Sequence, residues 1–130
     1  MKSEAIIEFG KPLQTIENDT PIPKGKEVLL KITYSGVCHS DVHLHDGYFD
    51  LGGGNQLPVG AAMNLPHTLG HEIEGKVVSF GSDVTDIEVG ANVVAYPWIG
   101  CGKCSTCETG DEHYCNCLLY TSPSPRDVSL

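Results

Sequence analysis

The sequence predicts a mostly β fold with short helices and a metal-tied cysteine lobe. Three observations predict it. Short runs rich in β-branched residues recur through the first hundred positions, glycine and proline punctuate them, and four cysteines cluster within fifteen residues. No stretch of eleven or more residues carries a convincing 3.6-residue apolar period, so long helices are not expected.

In chain order, residues 5–9 and 28–34 read as strands, separated by Pro12, Pro21, Pro23 and Gly25. Residues 38–45 have room for one or two helical turns. Residues 47–60, with Gly52-Gly53-Gly54, are expected to form a long flexible loop. Residues 73–80 and 93–96 are β-branched and follow glycine or polar turn residues, which predicts two further strands. No internal repeat is present. At 130 residues the chain suits one domain with a modest core.

The cysteines Cys101, Cys104, Cys107 and Cys115 are spaced C-x2-C-x2-C-x7-C. Four thiolates can close a tetrahedron around one Zn²⁺ and leave no position open for chemistry, which is how structural zinc is held. Such a lobe needs no core of its own, because the metal ties it down. Two other readings stay open, unrelated thiols and an iron–sulfur cluster. The usual cluster run has a shorter last gap followed by proline, whereas Asn116 follows Cys115 here.

A second constellation lies earlier. Gly36-Val37-Cys38-His39-Ser40-Asp41-Val42-His43 follows a predicted strand, and Gly70-His71-Glu72 precedes another. Catalytic zinc takes three protein ligands and keeps a fourth position open; one thiolate and one imidazole are ligands of the required kind. A ligating histidine also needs an acceptor for its second ring nitrogen, commonly a nearby carboxylate.

These two motifs, followed by the four-cysteine run, strongly resemble the zinc-dependent alcohol dehydrogenases of the medium-chain dehydrogenase/reductase family, over nearly all of residues 1–116. The resemblance implies a GroES-like, partly open β-barrel forming a catalytic domain. It also implies oxidation of an alcohol to an aldehyde or ketone by hydride transfer to NAD(P)⁺, or the reverse reduction. Carried over residue by residue, Cys38 and His71 match ligands of a catalytic zinc, and Glu72 an acid beside it that ligates transiently. Asp41 matches the acceptor for the ligand histidine. Ser40 and His43 match a proton relay from substrate to solvent, the imidazole suiting a group that titrates near neutrality. His39 matches a contact to the coenzyme pyrophosphate, and Trp98 an aromatic wall of the substrate pocket or, equally, a core or hinge aromatic. Cys101, Cys104, Cys107 and Cys115 match a structural zinc site. Gly36-Val37-Cys38-His39 leans toward alcohol or cinnamyl-alcohol dehydrogenases. Members of the family are dimers or tetramers, which implies a homo-oligomer at full length.

Other features limit what the chain does alone. No G-x-G-x-x-G occurs, so the dinucleotide-binding Rossmann domain is expected to be absent, as is the third catalytic ligand. Residues 1–116 are therefore expected to be an N-terminal catalytic-domain fragment, with 98–116 as its structural-zinc lobe, inactive with NAD by itself. Residues 117–130 are expected to be a non-native tail. Back-translation of 117–127 resembles a transposase-based library adapter read in frame, and a disordered Ser/Pro linker is the alternative. A non-enzymatic zinc module and an iron–sulfur electron carrier stay open as other functions. The formal charge of −9 argues against nucleic acid. No apolar run reaches the length of a membrane span, and Met1-Lys2-Ser3-Glu4 lacks a secretory core. A cytoplasmic location is expected, with a small alcohol or aldehyde as partner.

Overall fold

The structure is a computed structural model that describes residues 1–116; the expectation of a non-native tail falls outside the described residues. The strands are β1 (Lys2–Ile6), β2 (Gln14–Glu17), β3 (Val28–Gly36), β4 (Tyr48–Gly52), β5 (Asn55–Pro58), β6 (His67–Thr68), β7 (Glu72–Phe80) and β8 (Asn92–Ala95). Two short α-helices join them, α1 (His39–Asp46) and α2 (Ser105–Glu108), with 3₁₀ turns at Gly60–Ala62 and Glu112–Tyr114. All strand pairs are antiparallel, in the orders β2-β1-β6, β3-β7-β8 and β4-β5. The fold is mostly β with few short helices, and among the described residues the strands do not close into a barrel.

The central sheet carries the core. In β7, Ile73, Gly75 and Val77 are buried while Glu72, Glu74, Lys76 and Val78 are exposed, the period-2 alternation of a strand with one face to solvent. Ile73 and Val77 pack with Val28, Leu30 and Ala95, and Phe80, Ile87 and Val93 close over them. The expected strands at 28–34, 73–80 and 93–96 correspond to β3, β7 and β8, whose burial requirement writes itself into the residue types.

Two expectations are corrected. The first strand is Lys2–Ile6 rather than residues 5–9. Its extent follows its partners, with Lys2 opposite Glu17 and Ile6 opposite His67. The chain then turns, Lys11 N–H donating to the Glu8 carbonyl, so that Phe9 lies over Gly47 and Gly60 instead of continuing the sheet. The expected flexible loop at 47–60 is largely the β4-β5 hairpin. Its two-residue turn is Gly53-Gly54, with φ of +62° and +82°, the left-handed pair that a tight hairpin turn demands and that glycine supplies without steric cost.

Candidate metal centres

Residues Cys38, Asp41 and His71 converge from three elements. Cys38 sits at the N-cap of α1, directly after β3, and His71 lies between β6 and β7. The buried carboxylate of Asp41, 4% exposed, joins the two segments. Its Oδ2 accepts the Cys38 N–H at 2.9 Å, and its Oδ1 accepts the Gly70 N–H at 3.2 Å. A carboxylate three residues into a helix that reaches back to the N-cap amide satisfies a donor the helix leaves free. Gly70 has φ +106°, and an added Cβ would lie 2.5 Å from Ser35 Oγ. Both its backbone and its close approach to β3 therefore require glycine.

The ligand geometry follows from this scaffold. Cys38 Sγ and His71 Nε2 are 3.4 Å apart. Bond lengths near 2.3 and 2.0 Å at a tetrahedral angle place a zinc-bound sulfur and nitrogen roughly 3.6 Å apart, so the pair fits one ion. His71 Nδ1, on the far side of the ring, is 3.6 Å from Asp41 Oδ1, the placement of an orienting carboxylate. Cys38, Asp41 and His71 form one of two groups of potential metal ligands among the described residues.

The other group is Cys101, Cys104, Cys107 and Cys115. Its sulfur separations are 3.5 Å for Cys104–Cys107, 3.8 Å for Cys104–Cys115 and 4.0 Å for Cys101–Cys107. The edge of a zinc–sulfur tetrahedron is ~3.8 Å from its bond length, so the four fit a single ion. Cys104 caps α2, and the 3₁₀ turn at Glu112–Tyr114 returns Cys115 to the cluster. The Cys101 amide donates to Cys115 Sγ at 3.4 Å. Hydrogen bonding to the Lys103 backbone is the main cause pulling the Cys101 thiol down to about 6, whereas burial pushes Cys107 up to about 12. A buried thiol of that kind ionises readily only beside a cation.

The remaining candidate residues do not join either group of potential ligands. His39 and His43 stack at 4.6 Å on α1, and Phe49 of β4 tilts against His43 at 4.8 Å. Ser40 is half-buried on the same helix. Glu72 does not join Cys38, Asp41 and His71; its side chain lies against Gly36. Trp98, 39% exposed, lines a groove with Leu30, Val93, Tyr96, Ile99 and Glu112.

Sequence reasoning missed three glycines and two histidines. Gly36, Gly70 and Gly100 sit where a Cβ would overlap Glu72, Ser35 and the Cys107 sulfur respectively. Gly36 and Gly70 already stood inside the two motifs, but sequence does not show what faces them. His45 bridges Lys11 O at 2.8 Å and Asp46 Oδ1 at 3.2 Å, and these two acceptors, the Lys11 carbonyl first, raise its pKa. Burial lowers that of His67, whose Nε2 is buried without a partner among the described residues.

The family described as alcohol dehydrogenase GroES-like domain matches residues 24–124. A NAD-dependent alcohol dehydrogenase of Saccharolobus solfataricus is 42% identical over 116 residues, 89% of this chain and 33% of its own length. The crystal structure of the alcohol dehydrogenase of Aeropyrum pernix matches with a TM-score of 0.77 at 29% identity, covering 94% of this chain and 33% of that one. A cobalt- and zinc-bound thermostable alcohol dehydrogenase of Pyrobaculum aerophilum matches at 0.72 and 29% identity, covering 95% and 34%. The chain thus spans about a third of the length of the curated relatives it matches. With residues 24–124 inside the matched domain, the chain belongs to the alcohol dehydrogenase GroES-like domain family.

Proposed function

We propose that residues 1–116 form the metal- and alcohol-binding part of a zinc-dependent alcohol dehydrogenase acting with NAD or NADP. The observation that carries this reading is the 3.4 Å approach of Cys38 Sγ to His71 Nε2, braced by Asp41. A purely structural centre is closed by four ligands, whereas this one has a thiolate, an imidazole and a carboxylate that already spends its oxygens on backbone amides. Zn²⁺ bound there supplies Lewis-acid polarisation of an alcohol oxygen.

The protein's own residues do the rest. Cys38 and His71 hold the ion, and Asp41 fixes the tautomer and orientation of His71 through its Nδ1 side. Ser40 accepts the substrate's hydroxyl proton as it gives up its own to the relay, and His43 takes up a proton on one ring nitrogen and releases one from the other toward solvent. His39, at the exposed start of α1, meets the coenzyme pyrophosphate; Glu72 acts as an anion beside the ion, and Trp98 as a wall of the alcohol pocket. Cys101, Cys104, Cys107 and Cys115 hold a second, structural zinc in the lobe 98–116. The 130-residue chain carries no G-x-G-x-x-G, so purified alone it is expected to show no alcohol-dependent reduction of NAD⁺ or NADP⁺. Substrates are small alcohols or aldehydes, and the working enzyme is a homo-oligomer in the cytoplasm.

Metal analysis tests the reading. The purified chain is expected to bind two zinc ions, falling to one in Cys38→Ser and to one in Cys107→Ser. Two ions retained by Cys38→Ser would remove the catalytic centre from the proposal.

A further inference from the structure

Gly47 closes α1 in the left-handed region, at φ +86°, and so turns the chain out of the helix into β4. The chain returns to the same point just after β5, where the Gly47 carbonyl accepts the N–H groups of Val59 at 2.9 Å and Gly60 at 3.2 Å. Phe49 is held in register within this ribbon by its pairing with Leu57, and it belongs to neither sequence motif. Its half-buried ring tilts against the His43 imidazole, with centroids 4.8 Å apart and planes at 38°. His39, one turn earlier on α1, stacks on the same imidazole at 4.6 Å and 26°. Among the described residues no hydrogen bond or ion pair holds the His43 ring. Its orientation therefore rests on packing, in which these two rings take part.

We propose that Phe49 is a positioning residue for the proton relay, its ring keeping the His43 imidazole in one χ1 well. This rests on the reading of His43 as the relay's outer group. The lone pair and N–H of an imidazole lie in the ring plane, so a ring that swings about χ1 carries both nitrogens out of line with their proton partners. A helical side chain has two ready χ1 wells, trans and gauche−. A contact made in only one of them shifts their ratio by the strength of that contact. An aromatic pair at this spacing adds about a fivefold preference beyond simple burial. Leucine at position 49 fills much of the same volume but offers no flat, quadrupolar face.

Rotamer couplings test this in the zinc-saturated 130-residue chain at one fixed pH. The three-bond NMR couplings from His43 Cγ to its own backbone nitrogen and carbonyl carbon give the χ1 ratio directly. Phe49→Leu is expected to move that ratio about fivefold toward the second well, whereas Phe49→Tyr, which keeps the ring, is expected to hold the wild-type value. Amide-exchange protection of residues 39–46, followed in the same samples, is expected to stay unchanged. A wild-type ratio in Phe49→Leu, or an equal shift in Phe49→Tyr, would overturn the proposal. If Phe49→Leu melts α1, Phe49→Met repeats the test with an unbranched filler; loss of protection in both variants means that the ring props the helix and does not aim the imidazole, and the proposal fails. Two zinc ions retained by Cys38→Ser defeat the dehydrogenase reading instead, a separate outcome that leaves the rotamer ratio standing without a relay to serve.

Discussion

At the residue scale, the two missed histidines have opposite energetics. His67 is held neutral, its Nε2 buried and unpartnered and its pKa lowered by burial. A buried polar atom without a partner costs about 1–3 kcal/mol. His67→Val, which suits the β6 edge opposite Ile6, is therefore expected to stabilise the fold by about 1 kcal/mol at pH 8. Below the ordinary histidine value of 6.5 the unfolded chain takes up a proton that the folded chain resists, so the native protein loses stability there as pH falls. The advantage of His67→Val should then grow between pH 7 and pH 5, as read by urea unfolding at each pH. A pH-independent difference would show that the imidazole is not resisting protonation.

At the scale of elements, α1 is the part on which the first centre turns. Its N-terminus holds Cys38 and Asp41, and its C-terminus ends at Gly47, whose N–H donates to His43 and Leu44 carbonyls. His45 ties that end to the turn after β1, its ring bridging Lys11 O and Asp46 while its carbonyl accepts the Gly10 N–H. Both ring partners are acceptors, so the imidazolium satisfies them better than the neutral ring. The folded pKa is raised above 6.5; the latch thus contributes fully below pH 6.5 and fades as pH rises through the raised value. His45→Ala is expected to lower the melting temperature at pH 5.5–6 and to converge with wild type at alkaline pH. An unchanging gap would mean that the latch is not charge-dependent. The helix itself was legible because residues 38–45 lack β-branched runs and break before Gly47. The hairpin that follows was not: glycine triplets read as flexibility until pairing shows that Gly53-Gly54 makes a turn.

For the whole molecule, apolar burial and metal-ligand geometry divide the work. The β3-β7-β8 sheet has Val28, Leu30, Ile73, Val77 and Ala95 for a core, whereas the buried residues of the lobe 98–116 are Cys107 and Cys115. A lobe with only sulfur inside depends on its ion for order. Chelation is expected to abolish amide-exchange protection at 101–115 while the protection of 28–36 and 73–80 falls by less than tenfold. Equal loss in both regions would mean that the lobe and the sheet unfold as one unit. No helix among the described residues is long and apolar enough to cross a membrane. The sequence by itself determined the β-rich class, the three strands of the central sheet and the clustered spacing of Cys101, Cys104, Cys107 and Cys115, because burial period and short-range spacing are local properties written in residue order. Only the tertiary structure decided where β1 ends, that Asp41 clasps Cys38 and Gly70, that Glu72 rests on Gly36, and that His45 and His67 face opposite fates. Each of those depends on what a distant segment places against the residue, and a linear chain does not carry that information until it is folded.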